Sequence, residues 1–236
     1  SNQNPQPVYT SFPASYVFIR HPEIGNILYD VGAYPAEEDD APVSKFIADN
    51  FPLIANRDDY IYRFLLRNGI AMNDIEAIIL SHLHFDHADG LKFFSGTKPG
   101  QNIYVGKDDF LQAAAMTLAA DNEATLRSSY RRSIMTAPGL KFTFLEDDEG
   151  ELFPGITLFK LSGHTSGVYA MLLELEGGNY LLPSDACGSS LNYGPPAVFP
   201  GLVYDSLGYE RCMRTPSRLE KEYKATPIFS HAHPLD

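Results

Sequence analysis

Two kinds of apolar pattern alternate along the chain. Short runs rich in β-branched and aromatic residues, 16–20 (YVFIR) and 26–31 (NILYDV), flank the turn-like HPEIG and predict an antiparallel hairpin. Residues 75–80 (IEAIIL), 102–106 (NIYVG), 141–145, 156–161 and 168–175 read as further strands. The last is joined through Glu176-Gly177-Gly178-Asn179 to 180–183 as a second hairpin. Helix signals lie between them. Residues 58–67 (DDYIYRFLLR) open on acids, end on a base and precede Asn68-Gly69, while 107–120 are Ala-rich with Asp108 and Asp109 in the first turn. Helices over 121–136 and 210–224 and a strand over 226–229, ending at SHAH, complete the set. Residues 32–56 keep no period and read as a long excursion of the kind that often carries function, and 186–205 form a Gly/Pro/aromatic loop. With no repeat or boundary, the pattern predicts one α/β domain over 1–236.

Composition narrows the partners. A chain of 236 residues that is 44% hydrophobic builds a substantial core. Its 18 Lys+Arg against 30 Asp+Glu give a net charge of −12, which opposes nucleic acid and anionic membranes and favours a small neutral substrate. No apolar run approaches the ~20 residues of a membrane-spanning helix, so a soluble protein is expected. Cys187 and Cys212 are too few for a disulfide framework and read as incidental thiols; the compartment stays open, with the cytoplasm favoured. The start SNQNPQP lacks Met, as a cleaved leader or appended tail would leave it, and residues 1–7 are set aside from the fold reading.

The densest chemistry is SHLHFDHADG at 81–90, which sets His82, His84, Asp86 and His87 directly behind a strand. A strand end can turn several imidazoles toward one point, and neutral imidazoles with a carboxylate suit Zn²⁺ and related divalent ions. The theme of strand then ligand-bearing loop recurs: ITLFKLSG precedes His164, NYLLPS precedes Asp185, and ATPIFS precedes His231. Seven candidate ligands exceed one tetrahedral ion but suit two ions sharing a carboxylate, a pair that at about 3.5–4 Å clamps the attacking and leaving oxygens of a hydrolysis. Zinc brings a bound water to a pKa of roughly 7, so no serine nucleophile is required, and neither a GxSxG elbow nor a P-loop occurs. A metal-stabilised binding protein without turnover is the reading from a different class; an occluded pocket would mark it.

HLHFDH at 82–87, SGHTSG at 162–167, SDA at 184–186 and SHAH at 230–233, with YDVG at 29–32, resemble the metallo-β-lactamase fold superfamily. Within it, HLHFDHADG followed by GHTSG is most similar to the N-acyl homoserine lactonase group. The resemblance covers about residues 16–233 and implies an αβ/βα sandwich, two mixed sheets flanked by helices. It implies one metal between His82, His84, His164 and Asp185 and a second between Asp86, His87, His231 and the same Asp185, with His231 preferred to His233. Zinc is favoured, although Fe and Mn²⁺ suit the same ligands. The implied reaction is metal-dependent opening of a lactone or related acyl bond, with Asp86 helping to manage the proton.

Departures from relatives sharpen the reading. Asp185 sets the chain apart from the true β-lactamases, and His84 from the flavin-linked di-iron members. Glyoxalase II-like thioester hydrolases, lactam hydrolases and sulfur dioxygenases share much of the ligand set and stay as alternatives. Lactonases of the group carry a tyrosine three positions after the bridging aspartate, where this chain has Gly188. Tyr193 either supplies that phenol or is an ordinary loop aromatic. Asp30 either orients a ligand histidine or is a turn carboxylate, Phe85 packs beneath the loop, His21 lies at the surface, and Cys187 is a buried spectator. Phe51, Leu53, Ile54, Tyr193, Phe199, Val203 and Tyr204 wall an acyl pocket, or else serve core packing or a homodimer contact.

Overall fold

The computed structural model describes residues 11–35, 38, 43–119, 128–193, 198–200 and 203–232. Ten strands form two stacked five-stranded sheets. The first runs β1 (Val17–His21), β2 (Gly25–Tyr29), β3 (Ile75–Ile79), β4 (Ile103–Gly106), β5 (Phe142–Leu145). The second contains β6 (Glu149–Phe153), β7 (Ile156–Lys160), β8 (Tyr169–Leu175), β9 (Gly178–Leu182) and β10 (Ala225–Pro227), in the spatial order β10-β9-β8-β7-β6. Both are mixed: β1 pairs antiparallel with β2 and the rest of its sheet is parallel, whereas only the β10/β9 pair is parallel in the second. The described helices are α1 (Lys45–Asn50), α2 (Ile61–Arg67), α3 (Phe85–Ala88), α4 (Lys107–Leu118), α5 (Arg132–Met135) and α6 (Ser206–Tyr223).

Side chains alternate across a strand, and that period builds the layers. Ile27, Tyr29, Ala77 and Ile79 face the second sheet, where they meet the cluster of Leu158, Tyr169, Met171 and Leu182. Their neighbours Leu28 and Ile78 face outward, into a cluster with Ile61 and Leu65 of α2 and Ala113 of α4. On the far side, Ala170 and Leu172 of β8 pack with Cys212 and Leu219 of α6. Helix, sheet, sheet, helix is the expected sandwich.

This topology has one consequence for chemistry. Asp30 follows β2, the histidine stretch follows β3, His164 follows β7, Asp185 follows β9 and His231 follows β10. In each sheet the strands feeding these loops run in the same sense, so the polar loops collect at strand carboxyl ends, away from the apolar centre.

Several local expectations are corrected. Residues 58–67 divide into a tight turn, Arg57–Asp59, and α2, because Tyr60 takes extended dihedrals between them. Of the expected helix over 121–136 the described part holds only α5, and 121–127 lie outside the described residues. The final helix begins at Ser206, where Asp205 caps the Leu207 N–H at 3.0 Å, and it tolerates Pro216. Strand β6 was not anticipated; its EGELF carries too few apolar residues to signal a strand and is held by pairing with β7. The final strand is Ala225–Pro227 rather than 226–229. His21 is buried, with Nε2 2.8 Å from the Pro154 carbonyl and Nδ1 accepting the Glu23 and Ile24 N–H groups, so it ties the first hairpin to the second sheet. Residues 81–90 are not a plain loop either, since α3 turns through them. Phe85 heads that turn and is half-buried. No helix among the described residues is long and apolar enough to cross a membrane.

The α3 turn is stitched to the end of β2: the Val31 N–H donates to His87 O and the Gly90 N–H to Gly32 O, each at 2.9 Å. A Cβ at Gly90 would overlap the Val31 carbonyl oxygen, so this close approach requires glycine. Gly90→Ala is expected to cost about 1–3 kcal/mol, read from the urea midpoint. An unchanged midpoint would mean that the stitch is not under packing constraint.

Candidate metal centre

Two groups of ligand atoms assemble at the sheet edge. His82, His84 and His164 form one, and Asp86, His87, Asp185 and His231 form the other; within each group the ligand atoms lie within 4.8 Å of one another. All seven ligands expected from the sequence therefore sit in the two clusters. His233 lies outside the described residues.

The geometry is set by neighbours that are not ligands. Asp30 has φ of 57°, a left-handed conformation that a non-glycine residue adopts only when its surroundings hold it there. Its Oδ1 accepts the Ser81 N–H at 2.7 Å, and its Oδ2 accepts the Ser81 hydroxyl at 2.8 Å and the His87 Nδ1–H at 2.8 Å. With its own proton committed to Asp30, Ser81 Oγ accepts from His82 Nδ1 at 3.0 Å. In the neutral form both rings are thus held in the tautomer that leaves Nε2 bare. His82 Nε2 and His87 Nε2 are buried and make no hydrogen bond, the state expected of nitrogens placed for a cation. His231 is fixed the same way: Nδ1 lies 2.7 Å from the Pro13 carbonyl, so Nε2 turns inward. The residues present fit a pair of divalent ions.

Asp185 lies between the groups. Ser184 before it has φ of 50°, a second held left-handed residue at this edge. Asp185 Oδ1 is 2.9 Å from His231 Nε2 and 3.3 Å from His87 Nε2, and its Oδ2 is 3.1 Å from His231 Nε2 and 3.3 Å from His164 Nε2. In the first cluster His84 Nδ1 and His164 Nε2 face each other at 3.0 Å.

The charges divide accordingly. Burial pulls His82 and His84 well below the usual imidazole range, with the neighbouring histidines adding to the shift, and burial lowers His164 as well. Burial alone would also lower His87 and His231, but Asp185 and Asp86 more than offset it, leaving His87 well above its ordinary value and His231 raised to about 9. Burial would raise Asp185, yet His231, His87 and His164 hold it well below the usual carboxylate range. Burial thus favours the neutral imidazoles of one cluster, and the carboxylates favour imidazolium in the other.

Other candidates fall in different places. The Tyr193 hydroxyl donates to Glu220 of α6 and its ring packs edge-on to Phe229 at 5.4 Å, so its phenol is engaged away from the clusters. Burial and Glu220 raise its pKa further. Gly188 packs on His231: a Cβ there would sit 3.1 Å from His231 Cδ2, and its carbonyl accepts the His231 N–H at 2.8 Å. Cys187 is buried, its thiol pushed up to about 12 by burial, and neither cysteine is in a disulfide. Val203 and Tyr204 line a cavity of about 170 Å³ against His84 and His164, with Gln112, Met116 and Tyr130. Phe51, Leu53 and Ile54 are exposed and take no part in it. Sequence reasoning missed Asp109 and Tyr130: Asp109 reads as an ordinary first-turn acid, and nothing local marks it as buried.

Two expectations follow for metal binding. A ligand imidazole must be neutral, so metal-free protein at pH 7 has to discharge protonated His87 and His231; uptake should release about two protons per chain and tighten as pH rises toward 9. Calorimetry in buffers of different ionisation enthalpy measures this, and uptake without proton release would contradict the charge division. Asp30→Ala should weaken metal affinity by about 10–100-fold, because the His82 and His87 tautomers lose their orienting acceptor. Wild-type affinity in a chelator competition would remove Asp30 from that role.

Comparison with known proteins agrees with this geometry. The metallo-beta-lactamase superfamily model matches residues 9–205, a span that includes every candidate ligand except His231. The N-acyl homoserine lactonase AiiB of Agrobacterium fabrum is 28% identical over 87% of this chain and 74% of its own length. An N-acyl homoserine lactonase of Bacillus thuringiensis is 27% identical over 94% of this chain and 81% of its own. Among solved structures, an N-acyl homoserine lactone hydrolase with the product N-hexanoyl-L-homoserine bound at its catalytic metal centre superposes with a TM-score of 0.69 at 26% identity, covering 89% of this chain and 78% of that one. The fold, the ligand order and the matched span agree: this chain belongs to the metallo-beta-lactamase superfamily.

Proposed function

We propose that the chain is a dinuclear metal hydrolase that opens N-acyl homoserine lactones. The observation that carries this reading is Asp185, whose carboxylate lies within 3.3 Å of His164 in one group and of His87 and His231 in the other and so suits a ligand shared by two ions. His82, His84, His164 and Asp185 would hold one ion; Asp86, His87, His231 and Asp185 would hold the other. Zinc is the metal this nitrogen-rich set favours. When bound, such a pair polarises an ester carbonyl and activates water near neutral pH.

The chain's own groups supply the rest. Asp86, whose side chain is 25% exposed against 10% for Asp185, is the more open of the two carboxylates and would accept a proton from the attacking water and return it to the departing alkoxide. Met116, Val203 and the rings of Tyr130 and Tyr204 give the cavity beside His84 and His164 an apolar wall suited to an acyl chain. Gln112 accepts the Ser166 N–H through Oε1, which leaves its Nε2 to donate to a substrate amide. The lactone is neutral and its product is a carboxylate, so a chain of net charge −12 repels the product more than the substrate. The named similarity to N-acyl homoserine lactonases supports the same substrate class.

Thioester hydrolysis is the second reading, and Gly188 is what favours it. Without a phenol at that position, a thiolate leaves more readily than an alkoxide, because its conjugate acid has a pKa of only about 8.5. Proton release from a long-chain N-acyl homoserine lactone by the two-metal protein decides between them. Rapid, chelator-sensitive release is expected. No release from protein verified to hold two ions, together with turnover of an acyl thioester, would move the assignment to the second reading. Asp185→Asn should lose metal and activity together, and retention of both would end its role as a shared ligand. Tyr193→Phe should alter kcat by less than about threefold, since the hydroxyl serves Glu220; a 100-fold fall would return the phenol to the site.

A further inference from the structure

We infer that Asp109 is the positioning residue of the His82, His84 and His164 cluster, so that one ion of the proposed pair depends on this carboxylate and the other does not. The inference rests on the two-ion reading above and concerns a residue outside both ligand groups. Asp109 is fully buried in the first turn of α4. Its Oδ2 accepts the Leu83 N–H at 2.7 Å, fixing the residue between His82 and His84. Its Oδ1 accepts the Tyr130 hydroxyl at 2.7 Å. The Tyr130 ring lies 4.7 Å from that of His84, and the two residues form a backbone bridge. Thr165, the residue after His164, is fully buried, and its hydroxyl lies close enough to Asp109 and Tyr130 to lower the pKa of both.

One carboxylate therefore reaches His82 and His84 through hydrogen-bonded intermediaries and lies against the loop of His164. Leu83 carries the constraint to His82 and His84, Tyr130 holds His84 from the side, and Ser166, whose hydroxyl donates to the Asp108 carbonyl at 2.8 Å, keeps the His164 loop on the same turn of α4. The loop that bears His164 can approach this closely because Gly167 lacks a side chain: a Cβ there would sit 2.9 Å from the Asp109 backbone nitrogen. The second cluster has its own support. Asp30 holds His87 directly, and Pro13 and Gly188 hold His231. Among the described residues, none of the hydrogen bonds of Asp109 reaches Asp86, His87, Asp185 or His231. Burying a carboxylate costs free energy that an apolar residue at this place would not, and the two donors that converge on it, the Leu83 N–H and the Tyr130 hydroxyl, offset that cost.

The test is stepwise Zn²⁺ binding to the full chain by chelator competition, with ¹⁵N-histidine shifts reporting which rings are coordinated. Wild type should take up two ions. Asp109→Asn should weaken one step by about 10–100-fold and leave the other within about threefold. At one equivalent of Zn²⁺, the variant should show coordinated His87 and His231 while His82, His84 and His164 keep their metal-free shifts. Tyr130→Phe keeps the ring against His84 and removes only the hydroxyl, so it should weaken the same step by a smaller factor; it decides the matter if the Asp109 variant does not fold. Two unchanged affinities, or an equal loss at both steps, would overturn the inference. Wild-type protein that binds fewer than two ions would overturn the two-ion reading, and the inference with it.

Discussion

The structure depends on gathering charge at a place where water is scarce. Five imidazoles and two carboxylates converge at one sheet edge, and a buried ion without a partner is too costly for a domain of this size to keep. The chain meets that constraint by division. His82, His84 and His164 stay neutral, whereas His87 and His231 pair with Asp185 and Asp86. Asp185 belongs to both sides, which is why its neighbours hold it ionised against the pull of burial. The same polarity that makes the cluster expensive makes it a receptor for cations.

Holding that arrangement falls to residues with no ligand role. Asp30 fixes two tautomers through Ser81 and His87, and Asp109 ties the loops of His82, His84 and His164 to one helix. Two carboxylates, Asp109 behind the first cluster and Asp30 reaching His82 of the first and His87 of the second, hold the loops in one arrangement. Asp30 adopts a left-handed conformation to do so. A hydrolytic centre needs such preorganisation, because ligand atoms displaced by an ångström no longer share a cation.

The ligands were legible in the sequence because each follows an apolar run whose period already announces a strand end. The layers were legible for the same reason: Ile27, Leu28 and Tyr29 alternate faces as their hydrophobicity predicts. What escaped was long-range. His21 carries no local sign that it meets Pro154, 133 positions away. Asp109 resembles any first-turn acid, and its burial comes from Tyr130, Thr165 and Leu83 converging on it from elsewhere in the chain. Strand β6 was hidden by its charges, since its pairing with β7 and not its composition makes it a strand. Tyr193 was proposed by proximity in sequence to Gly188, and its destination at Glu220 depended on where α6 packs.

The most direct test of the central claim, that the two clusters form one centre around Asp185, is anomalous X-ray scattering at the zinc edge from crystals of the metal-loaded protein. The account predicts two peaks about 3.5–4 Å apart, one beside His82, His84 and His164, the other beside Asp86, His87 and His231, with an Asp185 oxygen at each. A single peak, or two ions that do not share Asp185, would contradict it.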